Sequence, residues 1–143
     1  KNINGPLVKP GKYKVQISVD NKYKIEDEIL ILKDPNTVIT ESDFEKAEEL
    51  QLKIINKIRE AKSIADEIQT SISNKKFRKS KYAPLKQKLD MLVTKQGTYM
   101  QPMLIDQMKY LYGMISKADQ ILGNDAYKRF DDLSLELENI KKL

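Results

Sequence analysis

Three adjacent carboxylate pairs, Glu48-Glu49, Asp66-Glu67 and Asp131-Asp132, are the residues whose types come nearest to acid and base chemistry. That chemistry needs two carboxyl groups in one cleft whose surroundings push their pKa values apart. These pairs fall on the polar faces of helical patterns, where solvated surface charge is the favoured reading. The chain has no histidine and no cysteine. It therefore lacks the usual general base near neutral pH, the commonest transition-metal ligand and any thiolate nucleophile. Nor does it carry a glycine-rich phosphate loop, a calcium-loop pattern or a serine elbow. The expectation is a chain without catalytic residues, cofactor or metal site. An unrecognised enzyme is the weakest of the competing readings.

A second cluster concerns binding. Residues 75–95 hold eight basic side chains and one acidic one, against a net charge of +5 for the whole chain. Within that stretch Lys75, Lys76, Arg78, Lys79, Lys81, Lys86 and Lys88 alternate with Phe77 and Tyr82. Clustered cations can sit against phosphates while rings stack on bases, so this segment is the candidate polyanion contact. The plainer reading is an interhelix connection in a lysine-rich protein, and nucleic acid is the disfavoured partner. A third group, Tyr99, Met100, Met103, Tyr110, Tyr112 and Met114, could present a ligand or partner surface. Core filling and contact with a preceding hairpin are the favoured roles, with Gly113 allowing a close helix approach.

The elements that must position these groups follow from size and periodicity. At 143 residues, with 40% hydrophobic and 33% charged, the chain suits one folded domain and not a disordered tail. Its longest uninterrupted apolar run, Ile29 to Leu32, is far short of the roughly 20 residues of a membrane span. The absence of cysteine is silent on redox compartment. Residues 12–20 alternate with period two, placing Tyr13, Val15, Ile17 and Val19 on one side. Asp20-Asn21-Lys22 supplies a turn, and Tyr23 to Leu32 returns with Ile25, Ile29 and Ile31 on one face before Asp34-Pro35. A lone hairpin is marginal in water, so further sheet or the following helices must cover its apolar face.

From Thr40 the period becomes helical. Thr40 to Asp43 forms a capping box, and a long helix carries Phe44, Ala47, Ile54, Ile58, Ala61, Ala65, Ile68 and Ile72 to about Asn74, broken only by Gln51. Pro84 opens a shorter helix with Leu85, Leu89 and Leu92. Pro102 opens the next, with Leu104, Met108, Leu111, Ile115 and Ala118, and Gly123 is placed to end it. Asn124 caps a last helix bearing Ala126, Phe130, Leu133, Leu137 and Ile140. Short connections predict antiparallel neighbours. The fold class is thus mainly α: an antiparallel three- or four-helix bundle over residues 37–143, preceded by a β-hairpin in residues 1–36. Ile54, Ile58, Ile68, Leu111, Ile115, Phe130, Leu133 and Leu137 are the expected core.

The order of Pro10-Gly11-Lys12-Tyr13-Lys14-Val15, the strand Ile29 to Pro35, the helix start Thr40 to Phe44 and Lys117-Ala118-Asp119 resembles one family. It is the C-terminal region of bacterial secreted proteins of the sortilin-like, Asp-box β-propeller group, often labelled glycosyl-hydrolase-like. Asn36 departs from that pattern, where a basic residue is common. The resemblance implies that the hairpin ends an Ig-like β-sandwich and that the helices are an appended bundle. It also implies an extracytoplasmic location and an upstream propeller holding any active site. No Asp-box repeat occurs in the chain, so no catalytic role passes to its residues. The start at Lys1, without Met or a leader-like pattern, fits a piece of a longer polypeptide better than a processed product. The expected function is a non-catalytic C-terminal accessory module, whose partners are upstream domains of the same polypeptide or a second copy. The alternative is a polyanion- or protein-binding helical module using residues 75–88.

Overall fold

The computed structural model describes residues 5–74, 79–97 and 99–143, and of residues 79–81 the backbone alone. Two strands precede four helices: β1 (Gly11–Val19), β2 (Tyr23–Ile31), α1 (Glu41–Ser73), α2 (Lys79–Leu92), α3 (Leu104–Ile115) and α4 (Asn124–Lys142). The chain is mainly α, with the hairpin leading the bundle, as the periodicities predict.

β1 and β2 pair antiparallel with Gly11 opposite Ile31 and Val19 opposite Tyr23. Between them the Lys22 amide donates to the Val19 carbonyl at 3.0 Å. Asp20 and Asn21 have φ of 51° and 56°. Positive φ at both central positions is what a hairpin turn matched to the right-handed strand twist requires, and Asp and Asn tolerate it best after glycine.

α1 starts where the sequence says it should. Thr40 Oγ1 accepts from the Asp43 amide at 3.2 Å and Asp43 Oδ2 accepts from the Thr40 amide at 3.0 Å, satisfying two otherwise orphaned donors. Ile39 and Phe44 occupy the two positions of a hydrophobic staple, and Ile39 is buried. The stripe of α1 then buries Leu50, Ile54, Ile55, Ile58, Ala61, Ala65 and Ile68. These meet Leu92 of α2, Leu104, Ile105, Met108, Leu111, Tyr112 and Ile115 of α3, and Leu133, Leu137 and Ile140 of α4 in one cluster. Burying each Leu or Ile side chain contributes about 1.5–3 kcal/mol. Phe130, expected in the core, packs against it half-buried.

The helices are not all antiparallel to their chain neighbours. α4 runs in the same direction as α1. Asn124 and Tyr127 share a cleft with Asp43 and Lys46, while Lys57 reaches Glu138 at 3.1 Å and Lys141 reaches Glu60 at 2.7 Å. α3 runs the opposite way, with Ile115 beside Phe44 and Ala47 and Asp106 facing the charge of Lys62. α2 also opposes α1, because Lys88 donates to the Lys141 carbonyl at 3.2 Å, level with Glu60. So α2 and α3 follow one another along α1. At 1.5 Å per residue, their 14 and 12 residues span about 21 and 18 Å beside the roughly 50 Å of the 33-residue α1. The longer connection between them allows a continuation where a short loop would force a reversal.

Several local expectations are corrected. Pro84 lies inside α2 and does not open it. α3 ends at Ile115 with Ser116 as its C-terminal cap, so Ala118 is outside the helix and exposed. Gly123 is the N-terminal cap of α4, and Asn124 is that helix's first residue. An added Cβ at Gly113 would meet nothing within 4 Å, so no helix approaches closely there.

Candidate functional site

Among the described residues two surfaces stand out as candidate sites: the apolar face of the hairpin and a cleft between α3 and α4. On the hairpin, cross-strand pairing puts Tyr13, Val15, Ile17 and Val19 on the same face as Tyr23, Ile25, Asp27, Ile29 and Ile31. The opposite face is polar. There Gln16 donates to Glu26 at 2.6 Å and Lys14 forms an ion pair with the same carboxylate. This is the pattern of a sheet with one buried and one solvated side.

The side that should be buried is open. Ile17 is 60% exposed, Ile25 69% and Tyr23 72%. Among the described residues no Cα of either strand comes within 8 Å of a helix Cα. Only the base of the hairpin is partly covered, where Tyr13 and Ile31 are half-buried and the Tyr13 hydroxyl donates to the Lys9 carbonyl at 2.6 Å. The helices do not supply the cover that the sequence demands.

What fixes the hairpin to the bundle is the segment before it. The Leu7 amide donates to Gln51 Oε1 at 2.9 Å, the Tyr112 hydroxyl donates to the Gly5 carbonyl at 2.8 Å, and Lys9 forms an ion pair with Glu45 at 2.7 Å. Gln51, which reads as a break in the apolar stripe, is 2% exposed. Its amide oxygen sits in a core position because a backbone donor from another segment must be satisfied there. Burial pushes the Tyr112 phenol up from its ordinary value.

The cleft encloses about 710 Å³ between α3, α4 and their connection. Tyr110, Leu111, Met114, Ile121 and Ala126 line its apolar part, with Asp106, Gln107, Asp125 and Arg129 at its polar part. Gln107 donates to the Pro102 carbonyl at 2.9 Å and accepts from the Arg129 guanidinium. Asp106 is paired with Lys109 at 2.7 Å, and the hydrogen bond from that ammonium holds its carboxyl below the usual value. The aromatic and methionine group is thus divided. Tyr112 and Met108 are core, Tyr110 and Met114 face the cleft, and Tyr99 and Met100 are exposed, so core filling and hairpin contact do not describe the group as a whole.

The basic segment is only partly within the described residues. Lys75, Lys76 and Arg78 lie outside them, as do the side chains of Lys79 and Lys81. Lys86 is exposed, and Lys88 is engaged with the C-terminal carbonyl of α4. Two residues apart on a helix, these two do not share a face. The carboxylate pairs are not brought together either. Glu49 bonds Lys53 at 2.7 Å, and Asp66, Glu67, Asp131 and Asp132 are exposed. Among the described residues no group of three or more acidic side chains is placed to hold a metal ion. No helix there is long and apolar enough to cross a membrane.

Compared with protein-family models, with curated proteins and with solved structures, the chain matches none.

Proposed function

We propose that the chain is a non-catalytic structural module that docks through the apolar face of its hairpin onto a sheet elsewhere in the same polypeptide. One observation carries this reading: a regular hairpin with one polar and one apolar face, whose apolar side chains are left in water by the bundle. Two strands alone bury too little to be stable, and sheets with this pattern stack face to face at about 10 Å. The bundle, strapped to the hairpin by Leu7, Gly5 and Lys9, then serves as a rigid appendage. The absence of histidine and cysteine, and the dispersal of the described carboxylates, support a role without catalysis.

The resemblance to C-terminal regions of the sortilin-like, Asp-box β-propeller group supplies a candidate sheet, that of an Ig-like sandwich, in a secreted parent. Hydrogen exchange on the chain alone and on the full-length product of its gene tests the docking. Amides of residues 11–31 should exchange more slowly in the full-length product while the core of α1 is unchanged. Equal exchange of the hairpin in both would sink the reading.

A further inference from the structure

On the apolar face of the hairpin the five cross-strand pairs are Gly11 with Ile31, Tyr13 with Ile29, Val15 with Asp27, Ile17 with Ile25 and Val19 with Tyr23. Asp27 belongs to the middle pair. It is the single charged residue on that face, it is exposed, and one of its carboxylate oxygens accepts from the Glu28 amide at 2.8 Å. The hairpin's ion pair, Lys14 with Glu26, lies on the other face, and among the described residues Asp27 has no cationic partner.

A charge at the centre of a surface that must be covered decides what can cover it. A wholly apolar partner would bury the carboxylate unpaired, which is strongly unfavourable. A second copy packed symmetrically on the face is worse. Either two-fold axis lying in the interface brings the two Asp27 side chains within about one strand spacing, roughly 4.8 Å, of each other in the buried layer. We infer that the hairpin docks onto an apolar β-sheet face presenting one lysine or arginine opposite Asp27, and that Asp27 keeps two copies of the chain apart. This rests on the reading of the hairpin as a docking face.

The partner's chemistry can be supplied by the chain itself. An Asp27→Lys variant is the probe: an apolar sheet face with a basic residue at its centre. Asp27 is exposed on a solvated strand, so substitutions there should leave the helical melt unchanged. Sedimentation equilibrium and amide shifts at millimolar concentration are read for the wild type, D27K, D27L and an equimolar mixture of wild type with D27K. The expected result is that wild type and D27K alone stay monomeric and D27L self-associates. The mixture should form a heterodimer roughly tenfold or more tighter than either component with itself, with shifts confined to residues 11–31. Should D27L remain monomeric, the face is not a docking surface and both readings fall. Association of D27L without association in the mixture overturns the basic counterpart and leaves the docking reading standing. Self-association of the wild type as strong as that of D27L would overturn the role of Asp27.

Discussion

The bundle and the hairpin answer the same physical demand in opposite ways. Both carry apolar residues at the period of their own backbone. In the bundle every stripe finds another stripe, and Ile54, Ile58, Leu104, Leu133 and Leu137 lose all contact with water. In the hairpin an equally regular face is partly covered at its base and otherwise open, and its exposure rises from Ile29 at the base to Ile25 near the turn. Periodicity states which side of an element wants burial; it does not state whether the cover lies within the same chain. Under the docking proposal, the bundle is the part that folds for itself and the hairpin the part that folds for a partner.

The sharpest way to break that comparison is Ile58→Asp. A charge at a site with no exposure should cost more than about 4 kcal/mol and abolish the helical circular dichroism signal. A cooperative melt near that of the wild type would show that the stripe is not what holds the helices. Next comes the strap joining the two regions. Gln51→Leu makes the position apolar and leaves the Leu7 amide without its acceptor, so stability should fall by about 1 kcal/mol. Exchange at Leu7 should quicken, and unchanged exchange would detach the strap from the account.

A smaller effect belongs to the ionic network between α1 and α4. Hydrogen bonds from Lys141 and then Lys57 hold the Glu60 carboxyl below its ordinary value of 4.5. A carboxyl lowered by folding contributes stability that is present above its unfolded value and is lost as pH falls through the folded one. Lys57, raised from 10.5 by its bond to Glu60, contributes below that value and fades as pH rises through its folded one. Glu60→Gln should therefore cost about 0.5 kcal/mol near neutral pH and flatten the loss of stability below pH about 4.5, followed by thermal melts across pH. An undiminished acid slope would assign that slope to other carboxyls. Least of all, Ile17→Lys on the open face should shift the melt of the chain by less than about 0.5 kcal/mol. A large shift would mean that the bundle already relies on the hairpin.

Much of the fold is legible in the residues because local chemistry dictates it. The Thr40–Asp43 capping box, the stripe from Phe44 to Ile72 and the Asp20-Asn21 turn are each set by groups within a few residues of one another. What escapes is whatever depends on distant groups. Gln51 reads as a defect until the Leu7 amide arrives beside it. Proline and glycine are common at helix ends for reasons of backbone geometry, yet Pro84 lies inside α2 and Gly123 caps the start of α4, placements that depend on where neighbouring turns pack. The stacking of α2 and α3 along α1 is set by the tertiary path of the 93–103 connection and has no local signal. The candidate site fares similarly. Alternation reveals the apolar hairpin face and the stray Asp27 within it, whereas the cleft beside Tyr110 and Met114 forms only when the connection after α3 folds back. A run of lysines, by contrast, signals charge density and says nothing about convergence. Lys88 turns out to tie helix ends together.

The two helices laid head to tail along α1 leave that helix unequally supported. α3, α4 and the strap hold it from its start to about Glu60 and Lys62, and α2 packs beside the remainder. The hairpin therefore springs from a root held on more sides than the far end of α1. A partner seated at the root would meet a platform already set in shape, so little conformational freedom remains to be surrendered when the two surfaces join.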